Sequence, residues 1–234
     1  MLRAVYAASI PAAVALAAWD ATRLVDVASA TPGSALATAV GFGVGVAAAD
    51  FTTGLVHWAC DTWGSARTPV LGATLIRAFR EHHVRPTEML EHDWIEVNGE
   101  AATAAGLALA ALTLPGLGLA AHPVLHGFLW SLIVFAALAN QLHQWAHAPR
   151  PPRGVRWLQR AGIVLSPSRH ARHHRGGHLV GYCITTGWTN RILDATGFWR
   201  ALERALSTAF GVEARADVES DDAVDCRSAI SEER

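Results

Sequence analysis

The chain contains no lysine, so all nineteen of its basic residues are arginine, a bias that we attribute to genome composition rather than to mechanism. Charged residues make up only 17% of the 234 residues, whereas a soluble domain carries about a quarter. Hydrophobic residues make up 51%, and the mean hydropathy is positive. This balance favours a membrane protein that is long enough for one domain with a real core. The net charge of −1 gives no sign of a nucleic-acid partner, and none is expected.

Several familiar site signatures are also missing. The cysteines Cys60, Cys183 and Cys226 lie far apart and form no CxxC pair, which argues against a disulfide framework or a zinc ribbon. The chain has no glycine-rich dinucleotide motif and no haem or iron–sulfur signature. A redox enzyme built on this sequence would therefore need electrons from a partner protein.

Histidine is abundant instead, and ten of the twelve histidines lie in polar clusters. His143 and His147 are four residues apart, and His170, His173 and His174 follow an i, i+3, i+4 pattern. On a helix both spacings place imidazoles on one face, about 5–6 Å apart at Cβ, which is a metal-binding arrangement. The other clustered histidines are His57, His82, His83, His92 and His178.

Apolar runs predict four transmembrane helices, near residues 4–19, 35–60, 101–121 and 123–147. The first run also fits a cleaved signal peptide. The second carries Asp50, His57 and Asp61 on one polar stripe, and an intramembrane Asp is costly enough to be a functional candidate. The alternative is a helix-packing stripe with Asp61 as a cap. His126 is expected to pack or to lie at the interface rather than to bind metal.

Arginines are concentrated in residues 61–100 and after residue 147, so the positive-inside rule places these segments and both termini in the cytoplasm. The predicted fold is all-α: a polytopic membrane protein of a bacterial inner membrane or an ER-like membrane. Its domain covers residues 1–211, with a histidine-rich cytoplasmic cap from 61–100 and 148–211. Apolar residues between 188 and 206 predict an amphipathic helix, either on the membrane surface or buried against the cap. Residues 212–234 are expected to form a disordered acidic tail.

The number of histidines bears on the chemistry. Ten clustered imidazoles exceed the three or four ligands of a zinc site, and carboxylates are too few for the usual soluble di-iron site. Imidazole suits iron, copper and zinc alike, so the ligand type does not fix the metal. The number fits two metal ions. At a membrane surface, two irons would serve to activate O₂ against an unreactive C–H bond of a lipid.

Several motifs together resemble the Kua-type plasmanylethanolamine desaturase family, over roughly residues 47–204. They are DFTTGLVHWACDTWGS from Asp50, FREHH with HDWIEVNG, NQLHQWAH from Asn140, and LSPSRHARHH followed by YCITTGWTN and FWRALE. The resemblance implies a membrane di-iron desaturase that turns the 1-O-alkyl chain of an ether phospholipid into a vinyl ether, converting plasmanylethanolamine to a plasmalogen. It would use O₂ and electrons from a cytochrome b5- or ferredoxin-like donor. The alternatives are an acyl-lipid desaturase or hydroxylase and, from another class, a non-enzymatic metal-binding membrane protein.

Nine histidines are predicted to be ligands of the two iron ions: His57, His82, His83, His143, His147, His170, His173, His174 and His178. Candidates for further ligands, or for hydrogen bonds to ligands, are His92, Asp50, Asp61, Asp93, Glu96 and Asn140. One departure from the family pattern concerns the last histidine. A proline is expected immediately before it, but this chain has Gly177, which together with Gly176 is expected to end the preceding helix.

Overall fold

The structure is a computed structural model that describes residues 1–175 and 178–214. This part of the chain contains α-helices joined by short 3₁₀ and π turns, and no strand. The helices are α1 (Leu2–Ser29), α2 (Pro32–Thr62), α3 (Arg77–Val84), α4 (Trp94–Leu112), α5 (Pro123–Ala137), α6 (Ala139–His147), α7 (Arg153–Arg160), α8 (Pro167–Arg175), α9 (Asn190–Ala195) and α10 (Phe198–Phe210). The predicted all-α class is confirmed.

Two described helices, α1 and α2, are long and apolar enough to cross a membrane. A third span is added if α5 and α6, which meet at a 44° bend, are counted as one. Such helices near the N-terminus indicate a membrane protein. The run predicted to form a transmembrane helix over residues 101–121 is not one continuous helix. Helix α4 ends at Leu112 and is followed by two 3₁₀ turns. Pro115 lies just beyond and has no N–H with which to continue the helix. The four-span topology and its orientation stay predictions.

The described residues divide into two compact units, of which the first comprises Met1–Thr52 and His92–His143. In this unit α2 and α5 approach closely at glycines. A Cβ on Gly41 would lie 2.0 Å from the Val124 carbonyl oxygen, and one on Gly45 would lie 2.1 Å from Ser131 Oγ. Small residues allow the two backbones to touch, which is how helices commonly associate in membranes.

A buried polar network also lies in the first unit. His126 of α5 places its Nε2 3.1 Å from Asp20 Oδ2 of α1, and both side chains are fully buried. Arg23 donates to Asp20 Oδ1 at 2.8 Å and to the Leu112 carbonyl at 3.2 Å. The packing role expected of His126 is therefore confirmed, with an acidic partner that the sequence did not point to. The network gives each charged group a partner within apolar helices.

The second unit comprises Thr53–Glu91 and the chain from Gln144 onward. The predicted single helix over residues 188–206 is instead two helices, α9 and α10. They are separated at Gly197, whose φ of +64° belongs to the left-handed region that ends helices. Trp199 at the start of α10 is buried, and its ring packs on Trp58 and Tyr182 at centroid distances of 5.6 and 5.1 Å. Residues 215–234, which hold most of the predicted acidic tail, lie outside the described part.

Candidate metal centre

Two adjacent groups of potential metal ligands lie in the second unit. Within each group, one ligand atom per residue lies within 4.8 Å of the corresponding atoms of the other members. The members of the first group are His82, His147, His170 and His174. The members of the second group are His57, Asp61, His83 and His173.

Two pairs of consecutive histidines divide between the groups. His82 and His83 on α3 belong to different groups, and so do His173 and His174 on α8. Consecutive residues on an α-helix are rotated by about 100°, so one helix presents neighbouring imidazoles in two directions. The ring centroids within the pairs are 6.0 and 5.4 Å apart. Two short helices thus each contribute potential ligands to both of two neighbouring groups.

In the first group, three imidazole nitrogens converge. His174 Nε2 lies 2.9 Å from His170 Nε2 and 3.2 Å from His82 Nε2. Nitrogens bound to a common ion at about 2.0–2.1 Å, at angles of about 90–109°, stand about 2.8–3.4 Å apart. A single proton on His174 Nε2 could satisfy only one of these contacts, whereas one cation would satisfy both. The donor set therefore fits a shared metal ion.

The second group contains the one carboxylate of the two groups. Asp61 Oδ2 lies 3.4 Å from His57 Nε2, 3.5 Å from His83 Nε2 and 3.7 Å from His173 Nε2. His83 and His173 also bring their Nε2 atoms within 3.1 Å of each other. Asp61 is one helical turn after His57 on α2, so the spacing that suggested a polar stripe places both side chains at this site. Three imidazoles and a carboxylate form a compact ligand set for a divalent cation.

Backbone carbonyls orient two histidines of the second group. His57 Nδ1 donates to the Tyr182 carbonyl at 3.0 Å, and His173 Nδ1 donates to the Val180 carbonyl at 2.8 Å. With the proton held on Nδ1, each ring presents the lone pair of Nε2 towards the group. Gly181 lies between the two carbonyls with a φ of +78°, and its N–H donates to Asp194 Oδ1. The turn at residues 180–182 therefore fixes the orientation and tautomer of two potential ligands.

Burial keeps the imidazoles on α3 and α8 neutral. It lowers the pKa of His82 to about 2 and that of His174 to about 4, with neighbouring imidazoles adding to the effect. The pKa values of His83, His170 and His173 are also lowered far below the ordinary value, again mainly by burial. Neutral imidazole is the form that binds a metal ion. The neutral imidazoles of the site thus have lone pairs free to bind a cation, and burial disfavours the protonation of several of them at once.

Close packing positions α2 against the turn that orients these ligands. A Cβ on Gly54 would lie 2.4 Å from Cys183 Sγ, so only glycine allows this approach. Thr53 and Thr185 are hydrogen-bonded through their hydroxyl oxygens, which are 3.1 Å apart. Asn190 holds the backbone N–H and C=O of Cys183 with its side-chain amide, each at 2.8 Å. These contacts place His57 within reach of the Tyr182 carbonyl.

Arg80 fixes the position of α3 relative to the end of α2. Its side chain is buried and donates to the carbonyls of Trp63 and Gly64, at 3.1 and 2.7 Å, just after α2 ends. The bonds join the helix that carries His82 and His83 to the end of the helix that carries Asp61. Basic side chains commonly satisfy the last carbonyls of a helix. From the sequence, the arginines of residues 61–100 were used only to predict the membrane orientation. The position of Arg80, two residues before the histidine pair, was a signal that it could have a structural role at the site.

Comparison with known proteins identifies the family. The lipid desaturase domain profile matches residues 46–217. The chain belongs to the lipid desaturase domain family. The resemblance to plasmanylethanolamine desaturases that the motifs predicted is confirmed by relatives bearing that name. No solved structure matches the chain.

Three relatives show how the similarity is distributed. The plasmanylethanolamine desaturase of Myxococcus xanthus is 41% identical over 175 residues, which cover 74% of this chain and 62% of that protein. Plasmanylethanolamine desaturase 1 of Mus musculus is 38% identical over 184 residues, covering 76% and 68%. The chloroplastic fatty acid desaturase 4 of Arabidopsis thaliana is 36% identical over 171 residues, covering 71% and 51%. The chain therefore spans between half and about two thirds of the length of these relatives.

His178 occupies an unusual place in this lipid desaturase domain. It is buried, and its ring stacks on His83 with centroids 4.0 Å apart, but it belongs to neither ligand group. Its φ of +56° is left-handed, a conformation that a non-glycine residue adopts at a cost and usually for a local reason. Gly176 and Gly177, predicted to end the helix, lie outside the described residues, and α8 ends at Arg175. The ligand role of His178 stays a prediction.

Three further candidates lie on α2 and α6, in the segments that belong to the first unit. Asp50 is fully buried, and His143 is buried one helical turn before His147. Asn140 is exposed and donates to the Val97 carbonyl at 3.3 Å. Helical spacing keeps His143 and His147 on one face of α6.

The remaining candidates cluster at the start of α4. Asp93 and Glu96 form a capping box there, with the Asp93 side chain accepting from the Glu96 backbone and the Glu96 side chain accepting from the Asp93 backbone. Arg3 forms ion pairs with both, and His92 Nδ1 lies 3.8 Å from a Glu96 oxygen. These hydrogen bonds show that both carboxylates cap the N-terminus of α4. Their part in the metal centre stays a prediction, as does that of His92.

Proposed function

We propose that the chain is a membrane-bound di-iron desaturase that converts the 1-O-alkyl chain of an ether phospholipid into a 1-alkenyl, or vinyl ether, chain. The observation that carries this proposal is the pair of adjacent ligand groups to which α3 and α8 each contribute. Membership of the lipid desaturase family supplies the reaction class. The printed names of the bacterial and mouse relatives support the ether lipid as substrate.

One iron would be held by the first group together with His143, which the helical spacing adds, and the other by the second group. Bound as a pair, the irons would supply the reduction of O₂ that drives removal of hydrogen from the lipid. The residues of the chain keep the ligands neutral, hold the rings of His57 and His173 by backbone bonds, and surround the site with buried side chains. Such burial also excludes the water that would compete at an oxidising centre.

The reaction balances only with an external reductant. The alkyl chain loses two hydrogens from adjacent carbons, and O₂ becomes two waters by taking up these hydrogens, two electrons and two protons. Because the sequence carries no dinucleotide, haem or iron–sulfur motif, the electrons would come from a small acidic donor of the cytochrome b5 or ferredoxin class. Residues 148–211 hold ten arginines against two acidic residues, and this positive region would speed the encounter with such a donor.

The second candidate is desaturation of an acyl chain on a phospholipid. The similarity to fatty acid desaturase 4 of Arabidopsis thaliana favours it. The ligand groups do not separate the two reactions, because the product depends on which carbon of the lipid lies beside the metals.

The test is to express the chain in a host that lacks plasmalogens, supply a 1-O-alkyl phospholipid, and analyse the lipids by mass spectrometry before and after acid hydrolysis. We expect an acid-labile product lighter by two hydrogens. His173→Ala and His174→Ala, one from each group, should each abolish it while the protein stays in the membrane. His122→Ala changes an exposed histidine outside both groups and should leave it intact. An acyl double bond with no acid-labile product would favour the second candidate instead.

A further inference from the structure

A cavity of about 560 Å³ opens in the second unit between the link that follows α6, the helix α7 and the start of α8. Three of its lining residues are arginines: Arg156 and Arg160 on α7, and Arg169 on α8. Ser166 and Ser168 also line it, with hydroxyl oxygens 3.2 Å apart. The cavity is therefore concave, cationic and rich in hydrogen-bond donors.

The three arginines concentrate positive charge in the cavity, and this favours the binding of an anion. Arg156 and Arg160 are four residues apart on α7, and like charges at this spacing destabilise a helix. Arg169 is held in place by donating to the carbonyls of Gly162 and Thr186, at 3.2 and 3.1 Å. Within residues 1–175 and 178–214, none of the three arginines forms an ion pair with a carboxylate. A bound phosphate would offset all three charges, and arginine matches its oxygens with paired N–H donors.

The start of α8 adds to this preference. Ser166 caps the helix, since its hydroxyl oxygen accepts from the Arg169 backbone N–H at 3.4 Å. A helix N-terminus carries partial positive charge and is a common position for phosphate groups. The cavity thus combines side-chain cations, hydroxyl groups and a helix N-terminus on one concave surface.

Two features indicate that the phosphate belongs to a lipid. First, α8 leads directly from the cavity to the metal ligands, and Ser166 precedes His170 by four residues, a rise of about 6 Å along the helix axis. In an ether phospholipid only the glycerol unit separates the phosphate from the 1-O-alkyl chain. Second, Trp188 is exposed and donates to the carbonyl of Gly162, a residue of the cavity lining, at 2.7 Å, and Trp157, which follows Arg156 in the chain, is exposed as well. Exposed tryptophans with an anchored polar edge are typical of membrane interfaces.

We propose that this cavity binds the headgroup phosphate of the phospholipid substrate and so sets the position of the alkyl chain relative to the metal centre. The assignment of the lipid as substrate rests on the proposed function. The cavity would select phosphate-bearing ether lipids over neutral ether glycerides. Arg156 and Arg160 would act as binding residues that lie outside both ligand groups.

The test uses the purified, iron-loaded protein in detergent and measures lipid retention by native mass spectrometry. The probes are a 1-O-alkyl-2-acyl-glycerophosphoethanolamine and the matching 1-O-alkyl-2-acylglycerol, which lacks the phosphate. The double variant Arg156→Gln/Arg160→Gln should weaken phospholipid binding about tenfold or more, because charge-assisted bonds are lost. Its binding of the neutral glyceride and its iron content should not change. The matched control Arg150→Gln/Arg153→Gln removes two exposed arginines outside the cavity lining and should bind both probes like the unmodified protein.

Equal phospholipid binding by the double variant and its control would overturn the inference. Displacement of the phospholipid by inorganic phosphate at a similar concentration would identify a free-anion site and also overturn it. A weaker response to the electron donor, with lipid binding unchanged, would assign the cavity to the donor protein instead. Binding requires no turnover, so phosphate-dependent retention without vinyl ether formation would support the cavity and contradict the proposed function. Vinyl ether formation with an unchanged KM for the phospholipid in the double variant would contradict the cavity alone.

Discussion

Replacing Asp61 by asparagine tests whether the two ligand groups bind metal ions independently. Asp61 is buried, and its Oδ2 lies within 3.7 Å of three imidazole nitrogens of the second group. Asparagine keeps the size of the side chain but removes the negative charge and leaves a poorer metal ligand. The first group contains no carboxylate and keeps all its members. We therefore expect Asp61→Asn to empty one metal position and to spare the other.

The size of the effect follows from how metal sites respond to such changes. Loss of a hydrogen-bonding partner of a ligand typically weakens metal affinity by about 10–100-fold, and loss of a direct ligand should reach at least the upper end. A 100-fold loss corresponds to about 2.8 kcal/mol. Under a chelator concentration that leaves the unmodified protein with two irons per chain, the variant should retain about one.

The measurement is iron per chain by inductively coupled plasma mass spectrometry across a chelator titration, with helical content checked by circular dichroism. The matched variant His174→Gln removes a ligand of the first group and should lose the other iron. A metal-binding role of Asp61 is excluded if the Asp61→Asn variant folds like the unmodified protein and keeps two irons with unchanged resistance to chelator. In that case the carboxylate would hold no metal, and the second group would need another explanation.

Three further substitutions test the supports of the fold, each by thermal unfolding of the purified protein in detergent. Gly54→Ala would place a Cβ 2.4 Å from Cys183 Sγ, and the overpacking should cost about 1–3 kcal/mol and loosen the second metal position. Arg80→Met should cost about 1–3 kcal/mol, because two carbonyls after the end of α2 lose their donor. Asp20→Ala removes the buried acidic partner of Arg23 and His126 and should cost about 1–3 kcal/mol, with the iron content of the folded fraction unchanged.

Each of these substitutions has a matched control elsewhere in the chain. Gly43→Ala adds a Cβ on the same helix as Gly54 where no atom lies within 4 Å, so it should not destabilise the protein. Arg67→Met and Asp26→Ala change exposed residues of the same types as Arg80 and Asp20. If a control lowered the unfolding temperature as much as its partner, the specific contact would not be the cause.

Local patterns made part of this structure predictable. The i, i+4 pair His170 and His174 on α8 and the i, i+4 pair His57 and Asp61 on α2 each lie on one helix face and each fall in one ligand group, as their spacing indicated. The all-α class followed from the long apolar runs and from the helical spacing of the histidines. The capping box of Asp93 and Glu96 was also readable, because an acidic or hydroxyl residue followed three positions later by Glu is a helix-start signature.

Other features depend on tertiary contacts that no spacing encodes. The division of His173 and His174 between two groups depends on which way α8 faces, and that is set by packing. The carbonyls of Val180 and Tyr182 orient two ligands, but backbone atoms leave no mark in a sequence. The end of α4 before residue 121 and the break at Gly197 were not predicted. In both places the prediction gave more weight to the apolar pattern than to the residues that end a helix.

A reconstituted reaction tests directly whether the chain forms a vinyl ether. Purified, iron-loaded protein in lipid vesicles would receive a 1-O-alkyl phospholipid labelled with deuterium at the first two carbons of the alkyl chain, together with O₂ and a chemically reduced ferredoxin or cytochrome b5. We predict loss of one deuterium from each labelled carbon and release of a fatty aldehyde on acid treatment. Retention of all the deuterium in the presence of two bound irons, whether or not an acyl chain becomes unsaturated, would contradict it.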